Sequence, residues 1–274
     1  MITYQLFEAG FCRHCERMTL KNGHFKQREY PSICALIKHE RKGYILFDTG
    51  YTDRFLQLTQ KFPQSLYRHL TPLILKKSLK TQLLEKGIQP TDINYIVISH
   101  FHADHIGGLH DFPNAQFICH RQAIDTIKHK GRLKALLKGF LPGLVPSDFN
   151  ERTILLDNNL IKLGENLSPF SQGYDLFGDQ QLILIPLPGH AKGHIGLYFK
   201  VDKEIFLIGD SCWHQETFKE LVYPSNLTYF IHDNKNDYIQ TIKNLHALYK
   251  HNKNIEIIPS HCEHIRKQIR EEKL

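Results

Sequence analysis

No apolar run in these 274 residues approaches the roughly 18 residues that cross a bilayer, so no membrane-spanning segment is expected. The N-terminal stretch MITYQLFEAGFCRHC lacks the basic start and following apolar block of a secretory leader. A cytoplasmic protein without a membrane partner is the expectation. Cysteine is scarce: six in a chain of this length are too few for a disulfide scaffold. Cys12 and Cys15 form a C-x-x-C, but no second pair exists to complete a zinc knuckle, so ordinary reduced thiols are expected there. Cys34, Cys119 and Cys262 lie in or beside apolar runs, where a small buried side chain is the simplest reading. Low-complexity tracts, linkers and helical repeats are also absent, and one domain over residues 1–274 is expected.

Acid is missing from two stretches. Residues 54–84 carry Arg54, Lys61, Arg68, Lys76, Lys77 and Lys80, and residues 126–147 carry Lys128, Lys130, Arg132, Lys134 and Lys138, with no Asp or Glu in either. The chain has 35 bases against 28 acids; setting those 11 bases aside leaves 24 against 28. The whole surplus of +7, and with it the pI of about 9.0, therefore resides in two segments.

What the chain has in quantity is short β-branched runs that end on a metal-binding residue type. YILF (44–47) runs into Asp48, YIVIS (95–99) into His100, LILIPLPG (182–189) into His190, EIFLIG (204–209) into Asp210 and IEIIPS (255–260) into His261. Runs this short and apolar read as strands buried on both faces. Ligands of α/β sheets bind just beyond the carboxyl ends of strands, and five strands here deliver a His or Asp at that place. Helical candidates are 73–86, 121–138 and 237–250, the last with amphipathic spacing; 168–181 reads as loops around short strands.

The densest cluster is SHFHADHIGG (99–108), three histidines and an aspartate within six positions. His100 and His102 would face opposite sides of a continuing strand, so aiming both at one ion requires that the strand has ended. His102 and His105, three apart, suit the start of a helix. Imidazoles with carboxylates suit zinc, and iron or manganese also accept such donors.

Five marks in order, LFDTG (46–50), HFHADH (100–105), PGHAKGHIG (188–196), IGD (208–210) and PSH (259–261), resemble the metallo-β-lactamase-fold hydrolases over residues 33–264. The resemblance implies an α/β fold, a four-layer αβ/βα sandwich of two mixed sheets packed face to face, with a dinuclear metal site at one edge. It implies His100, His102 and His190 as one metal site, Asp104, His105 and His261 as the other, and Asp210 as the carboxylate bridging both. Asp48 resembles the family's orienting acid and His194 its supporting histidine. Two divalent ions, zinc foremost, are the implied cofactors. The expected activity is hydrolysis of an ester, lactone or thioester by a metal-bridging hydroxide, with Asp104 passing a proton.

Departures from subfamilies narrow this. Flavodiiron relatives have an acid where this chain has His102, which disfavours a redox centre. N-acyl homoserine lactone lactonases usually carry tyrosine three positions after the bridging aspartate; here that residue is Trp213. Glyoxalase II relatives bind glutathione through basic C-terminal residues, a role HIRKQIR (264–270) matches only loosely; an exposed basic helix end is the expectation. Phosphodiester hydrolysis is the alternative activity suggested by the basic segments, but aromatic interleaving is thin (Phe62, Tyr67, Phe140), so nucleic acid is not the expected partner. A non-catalytic metal-binding module is a further alternative. The candidate substrate pocket is Trp213, Phe62, Tyr67 and His264. The acid-free segments are expected to be cap-like insertions in which Phe55, Leu58, Phe62, Leu66, Leu70, Leu73, Phe140 and Leu144 pack over the site, their basic rim favouring a small anionic or acyl substrate.

Overall fold

The computed structural model describes residues 2–128, 131–156 and 160–271; Lys130, one of the bases counted above, lies outside the described residues. Seven strands form one sheet: β1 (Ile2–Cys15), β2 (Gln27–His39), β3 (Gly43–Phe47), β4 (Leu73–Ile74), β5 (Ile93–Val97), β6 (Gln116–His120) and β7 (Thr153–Leu156), in the order β4-β1-β2-β3-β5-β6-β7. Six form the other: β8 (Leu160–Lys162), β9 (Gln172–Asp175), β10 (Leu182–Pro186), β11 (Ile195–Lys200), β12 (Glu204–Gly209) and β13 (Ile255–Pro259), in the order β13-β12-β11-β10-β9-β8. Both sheets are mixed. β3, β5, β6 and β7 run parallel, as do β12 and β13, and the remaining neighbours are antiparallel.

Period-two patterning fixes which face each residue serves. Along β2, Ala35 and Ile37 enter the inner core while Cys34 and Leu36 enter an outer one; along β12, Ile205 and Leu207 point inward and Phe206 and Ile208 outward. The inner core mixes the two sheets, with Val97 and Ile118 of one against Leu184, Leu197 and Leu207 of the other. Each outer face is covered by helices, Leu79–Leu84 through Leu79 and Leu83 on one side and Lys235–His251 through Leu245 and Leu248 on the other. The result is the expected four-layer α/β sandwich.

Two helical expectations are corrected. In 73–86, Leu73 and Ile74 pair as a strand with Cys12 and Phe11, and a helix starts only at Leu79, where Ser78 Oγ accepts the Thr81 N–H. The stretch 121–138 breaks into a 3-10 turn (Arg121–Ala123), one helical turn (Ile124–Ile127) and, after Gly131, a short helix Arg132–Leu137. The 237–250 candidate lies inside Lys235–His251, which Asn234 caps through the N–H groups of Asn236 and Asp237. Among the described residues, no helix is long and apolar enough to cross a membrane.

The C-terminal helix Glu263–Glu271 departs from the exposed basic end expected of HIRKQIR. Arg266 is only 1% exposed. Its guanidinium donates to Glu8 (2.7 and 2.9 Å), Glu29 (2.9 Å) and Glu263 (3.3 Å) and lies 4.4 Å over the Phe11 ring. It ties the C-terminal helix to β1 and β2.

Candidate metal centre

The ends of β3, β5, β12 and β13 and the turn after β10 converge on one sandwich edge; Asp48, Asp210 and Ser260 directly follow β3, β12 and β13, and Ser99 and His100 come two and three residues after the end of β5. β5 has ended at Val97, so His100 and His102 no longer alternate across a sheet and both turn to the same side. His102 then precedes the single helical turn Ala103–Ile106 in extended conformation, which swings Asp104 and His105 toward a neighbouring position. Two groups of donors result. In each of His100, His102, His190, Asp210 and Asp104, His105, Asp210, His261, the ligand atoms lie within 4.8 Å of one another, and Asp210 belongs to both.

Asp210 is almost fully buried. Its Oδ2 stands 3.1 Å from His261 Nε2 and 3.4 Å from His190 Nε2, and accepts from Trp213 Nε1 at 3.1 Å. Its Oδ1 stands 3.1 Å from His105 Nε2, yet the two make no aligned hydrogen bond. Gly209, just before it, has φ +53°, and a Cβ there would meet His194 Nε2 at 2.6 Å. Only glycine lets β12 end so tightly against His194, which accepts the Asp210 N–H at 3.2 Å.

Asp48 also sits in left-handed backbone, φ +60°, a conformation uncommon outside glycine and better tolerated by Asp and Asn. The turn aims its carboxylate under the cluster. Oδ1 accepts the Ser99 N–H at 2.8 Å, and Oδ2 accepts Ser99 Oγ and His105 Nδ1, both at 2.7 Å. His261, which follows β13 of the other sheet, is held the same way, Nδ1 donating to the carbonyl of Pro31 on β2 at 2.6 Å. Each of these rings therefore presents Nε2 to the shared centre.

Electrostatics divide the histidines. Burial, reinforced by neighbouring imidazoles, holds His100 well below its usual pKa, and burial likewise dominates at His190 and at His102, lowered to about 4. These three rings are neutral, the ligand form. Burial also acts against charge on His105 and His261, but the carboxylates outweigh it: Asp210, Asp104 and Asp48 raise His105 well above its usual value, and Asp210 with Asp104 raises His261 to about 10. Asp104 and Asp210 are correspondingly held below the usual carboxylate range by those two rings, against the effect of burial. Without a cation, protons on His105 and His261 supply the positive charge.

The candidate pocket residues fall into two groups. Trp213 is at the centre, its indole 4.4 Å from the His261 ring. Tyr67 is beside it, donating to the Gly139 carbonyl at 3.2 Å, and Gly139 abuts His102. Phe62 is 76% exposed and makes no ring contact among the described residues, and His264 is exposed on the last helix. The expected cap is likewise corrected: Phe55, Phe140 and Leu144 are buried in the outer core, whereas Leu66 and Leu70 face solvent. Short one- and two-turn helices leave too little length for both faces of these segments to be covered.

Sequence reasoning missed His14, His214 and His232. His14, on β1 outside the stretch of resemblance, packs 5.8 Å from Trp213. His214 Nε2 pairs with Thr19 Oγ1 at 2.8 Å, and Thr19 Oγ1 with Tyr30 OH at 2.7 Å. His232 lies 5.1 Å from the His190 ring and 4.1 Å from Tyr238. Burial lowers His14 and His232 to about 4. Nothing in their local spacing sets them apart from surface histidines.

Asp48→Asn tests the supporting network. Asn keeps the left-handed turn, but with its Oδ1 on the Ser99 N–H its amide nitrogen takes the place of Oδ2, where it donates and cannot accept from His105 Nδ1, and the ring would shift its proton to Nε2, the atom facing the centre. Metal affinity is expected to fall on the order of 10- to 100-fold with the fold intact. Competition with a fluorescent chelator measures this; unchanged affinity would remove Asp48 from any orienting role.

The metallo-beta-lactamase superfamily family model matches residues 28–247. An N-acyl homoserine lactonase, AttM, of Azorhizobium caulinodans is 26% identical over 175 residues, covering 61% of this chain and 57% of that protein. The Bacillus cereus N-acyl homoserine lactonase is 26% identical over 196 residues, 70% of this chain and 68% of that one. The mpaDE protein of Penicillium roqueforti, named a cytochrome P450 monooxygenase, is 29% identical over 199 residues, 67% of this chain but 22% of its own. The chain thus spans between about a fifth and three fifths of the length of the curated relatives it matches first. Among solved structures, a B. thuringiensis AiiA variant with N-decanoyl-L-homoserine bound superposes with TM-score 0.72 at 21% identity, covering 97% of this chain and 95% of that one. At that identity the likeness concerns the fold. The family match over most of the chain is decisive, and the chain belongs to the metallo-beta-lactamase superfamily.

Proposed function

We propose that this protein is a metal-dependent hydrolase of a small ester, lactone or thioester. The observation that carries the reading is the pair of four-donor groups sharing Asp210. The donors fit divalent cations. His100 Nε2, His105 Nε2, His190 Nδ1 and Asp210 Oδ1 are buried without a hydrogen-bond partner among the described residues, a cost that cation binding at the centre would offset for those facing it. His100, His102, His190 and Asp210 would hold one ion, and Asp104, His105, Asp210 and His261 the other; zinc suits this nitrogen-rich set. Divalent ions there would lower the pKa of coordinated water from ~16 toward ~7 and polarise the substrate carbonyl. Asp48 and the Pro31 carbonyl keep His105 and His261 in the tautomer that presents Nε2. Asp104 Oδ2 faces His105 and His261, leaving Oδ1 to carry a proton toward the leaving group. The N-acyl homoserine lactonases among the relatives support a lactone as one substrate, and Trp213, which donates to Asp210 Oδ2, is the residue that would distinguish this pocket from theirs.

The test couples activity to protons. His105 and His261 have folded pKa values raised above the unfolded value of about 6.5. In metal-free protein, the stabilisation from their protonation is complete below about 6.5 and is lost as pH rises through the folded value, about 10 for His261. Cations replace those protons. Loading chelator-stripped protein with zinc in weak buffer near neutral pH is expected to release about one to two protons per chain. Hydrolysis of an aryl ester or a lactone is expected to return with the metal, ahead of bis(p-nitrophenyl) phosphate. Metal uptake with no proton release and no return of ester or lactone hydrolysis would reject the reading; faster phosphodiester turnover would favour the alternative activity.

A further inference from the structure

The acid-free segments carry an exposed surface that the metal centre does not use. On the helix Ser65–Leu70, Leu66 and Leu70 are 43% and 73% exposed; on Arg132–Leu137, Leu133 and Leu137 are 55% and 68% exposed. Each pair is spaced i, i+4 and so shares one helix face. Phe62, 76% exposed, precedes the first pair. The two segments are connected by a hydrogen bond. Tyr67, between Leu66 and Leu70, donates to the carbonyl of Gly139, two residues beyond Leu137, and Gly139 in turn abuts His102.

Interleaved with the apolar residues are Lys61, Arg68, Lys134 and Lys138, all exposed and without an ion-pair partner among the described residues. Between the segments opens a cleft of about 420 Å³ lined by Gln57, Gln60, Lys61 and Gln64, which offer amide donors and one cation but no carboxylate. Outside the two segments the chain is net acidic. Unpaired bases and exposed leucines therefore lie together in and beside these two short helices, which are joined through Tyr67 and Gly139, the residue that abuts His102.

We propose that this face docks on an anionic lipid surface, with the leucines and Phe62 entering the interfacial region and the bases meeting the headgroups. The docking does not depend on the hydrolase reading. A second copy is the poorer occupant, because a two-fold contact through this face would set the same unpaired bases against one another. Single-stranded nucleic acid would call for stacked aromatics, and four of the five exposed apolar side chains here are aliphatic. The expectation of no membrane partner rested on the lack of a spanning segment, which does not bear on a surface contact.

Vesicle flotation of the full chain tests this, using phosphatidylglycerol–phosphatidylcholine vesicles against phosphatidylcholine alone. Partitioning is expected to be about tenfold or more stronger on the anionic vesicles and to weaken about tenfold between 0.05 and 0.5 M salt. Leu66→Gln/Leu70→Gln/Leu133→Gln/Leu137→Gln and, separately, Lys61→Gln/Arg68→Gln/Lys134→Gln/Lys138→Gln are each expected to lose at least about tenfold. Unaltered melting temperature and metal content in either set show that the fold is intact. Equal partitioning onto neutral vesicles, or variants that bind like wild type, would overturn the proposal. So would a dimer seen by ultracentrifugation that the leucine variant abolishes, or tighter binding to single-stranded oligonucleotide than to vesicles.

Discussion

If the two proposed sites both bind metal, Asp210→Asn is expected to reduce the bound metal to one equivalent or fewer and to lower kcat/KM on the order of 10³-fold, a loss of several kcal/mol of transition-state stabilisation. The reason is geometric as well as electrostatic. Asp210 is common to both donor groups, with Oδ1 toward His105 and Oδ2 toward His261 and His190. Two cations sharing this edge would repel, and unit charges 4 Å apart interact by about 4 kcal/mol even at an effective dielectric of about 20. A carboxylate between them offsets that repulsion; a neutral amide does not, and it directs an N–H at one of the two positions. The backbone consequence is small, since Asn follows Gly209 as readily as Asp does. Elemental analysis alongside ester or lactone kinetics decides the matter. Two equivalents of metal retained in the variant would refute a bridging role.

Arg266→Met is the largest stability effect expected away from the centre. The guanidinium is buried and donates to three carboxylates on β1, β2 and the C-terminal helix. Removing one partner of a buried ion network typically costs about 3–5 kcal/mol, because the remaining charges stay desolvated. Here the lower end applies: Glu29 and Glu263 are partly exposed, Arg270 still reaches Glu8 at 3.1 Å, and Arg13 still reaches Glu29 at 2.8 Å. A loss of about 3 kcal/mol corresponds to a melting temperature roughly 6–12 °C lower for a domain of this size. Adding Glu8→Gln should recover part of the loss by removing the stranded charge. A shift under about 2 °C in Arg266→Met would mean that the network contributes little to stability.

The strand-end donors were legible because their signal is local. A buried strand shows itself by a short β-branched run, and His100, His190, Asp210 and His261 follow such runs directly or within a turn. The left-handed turn at Asp48 is equally local, although only its hydrogen bonds to Ser99 and His105 disclose what it orients. The helical expectation for 121–138 failed locally, the stretch breaking into short turns before a helix that starts after Gly131, whereas that for 73–86 failed where a partner distant in sequence intervened. Leu73 and Ile74 had β1 to pair with, and pairing outweighed helix propensity.

Local sequence was enough to mark β3, β10, β12 and β13 as strands buried on both faces and to supply the residue types at the sandwich edge; period-two geometry then divides alternate residues between two cores. These follow from period-two geometry and from side-chain chemistry, which neighbouring positions suffice to encode. How those residues are held depends on long-range closure of the fold. The Pro31 carbonyl aims His261 across 230 positions, Glu8 receives Arg266 across 258, and Asp48 reaches His105 across 57. That closure also decided which leucines the short helices at 65–70 and 132–137 leave in water. Such contacts join segments that no periodicity relates, and their geometry exists only once two sheets have closed on a common core.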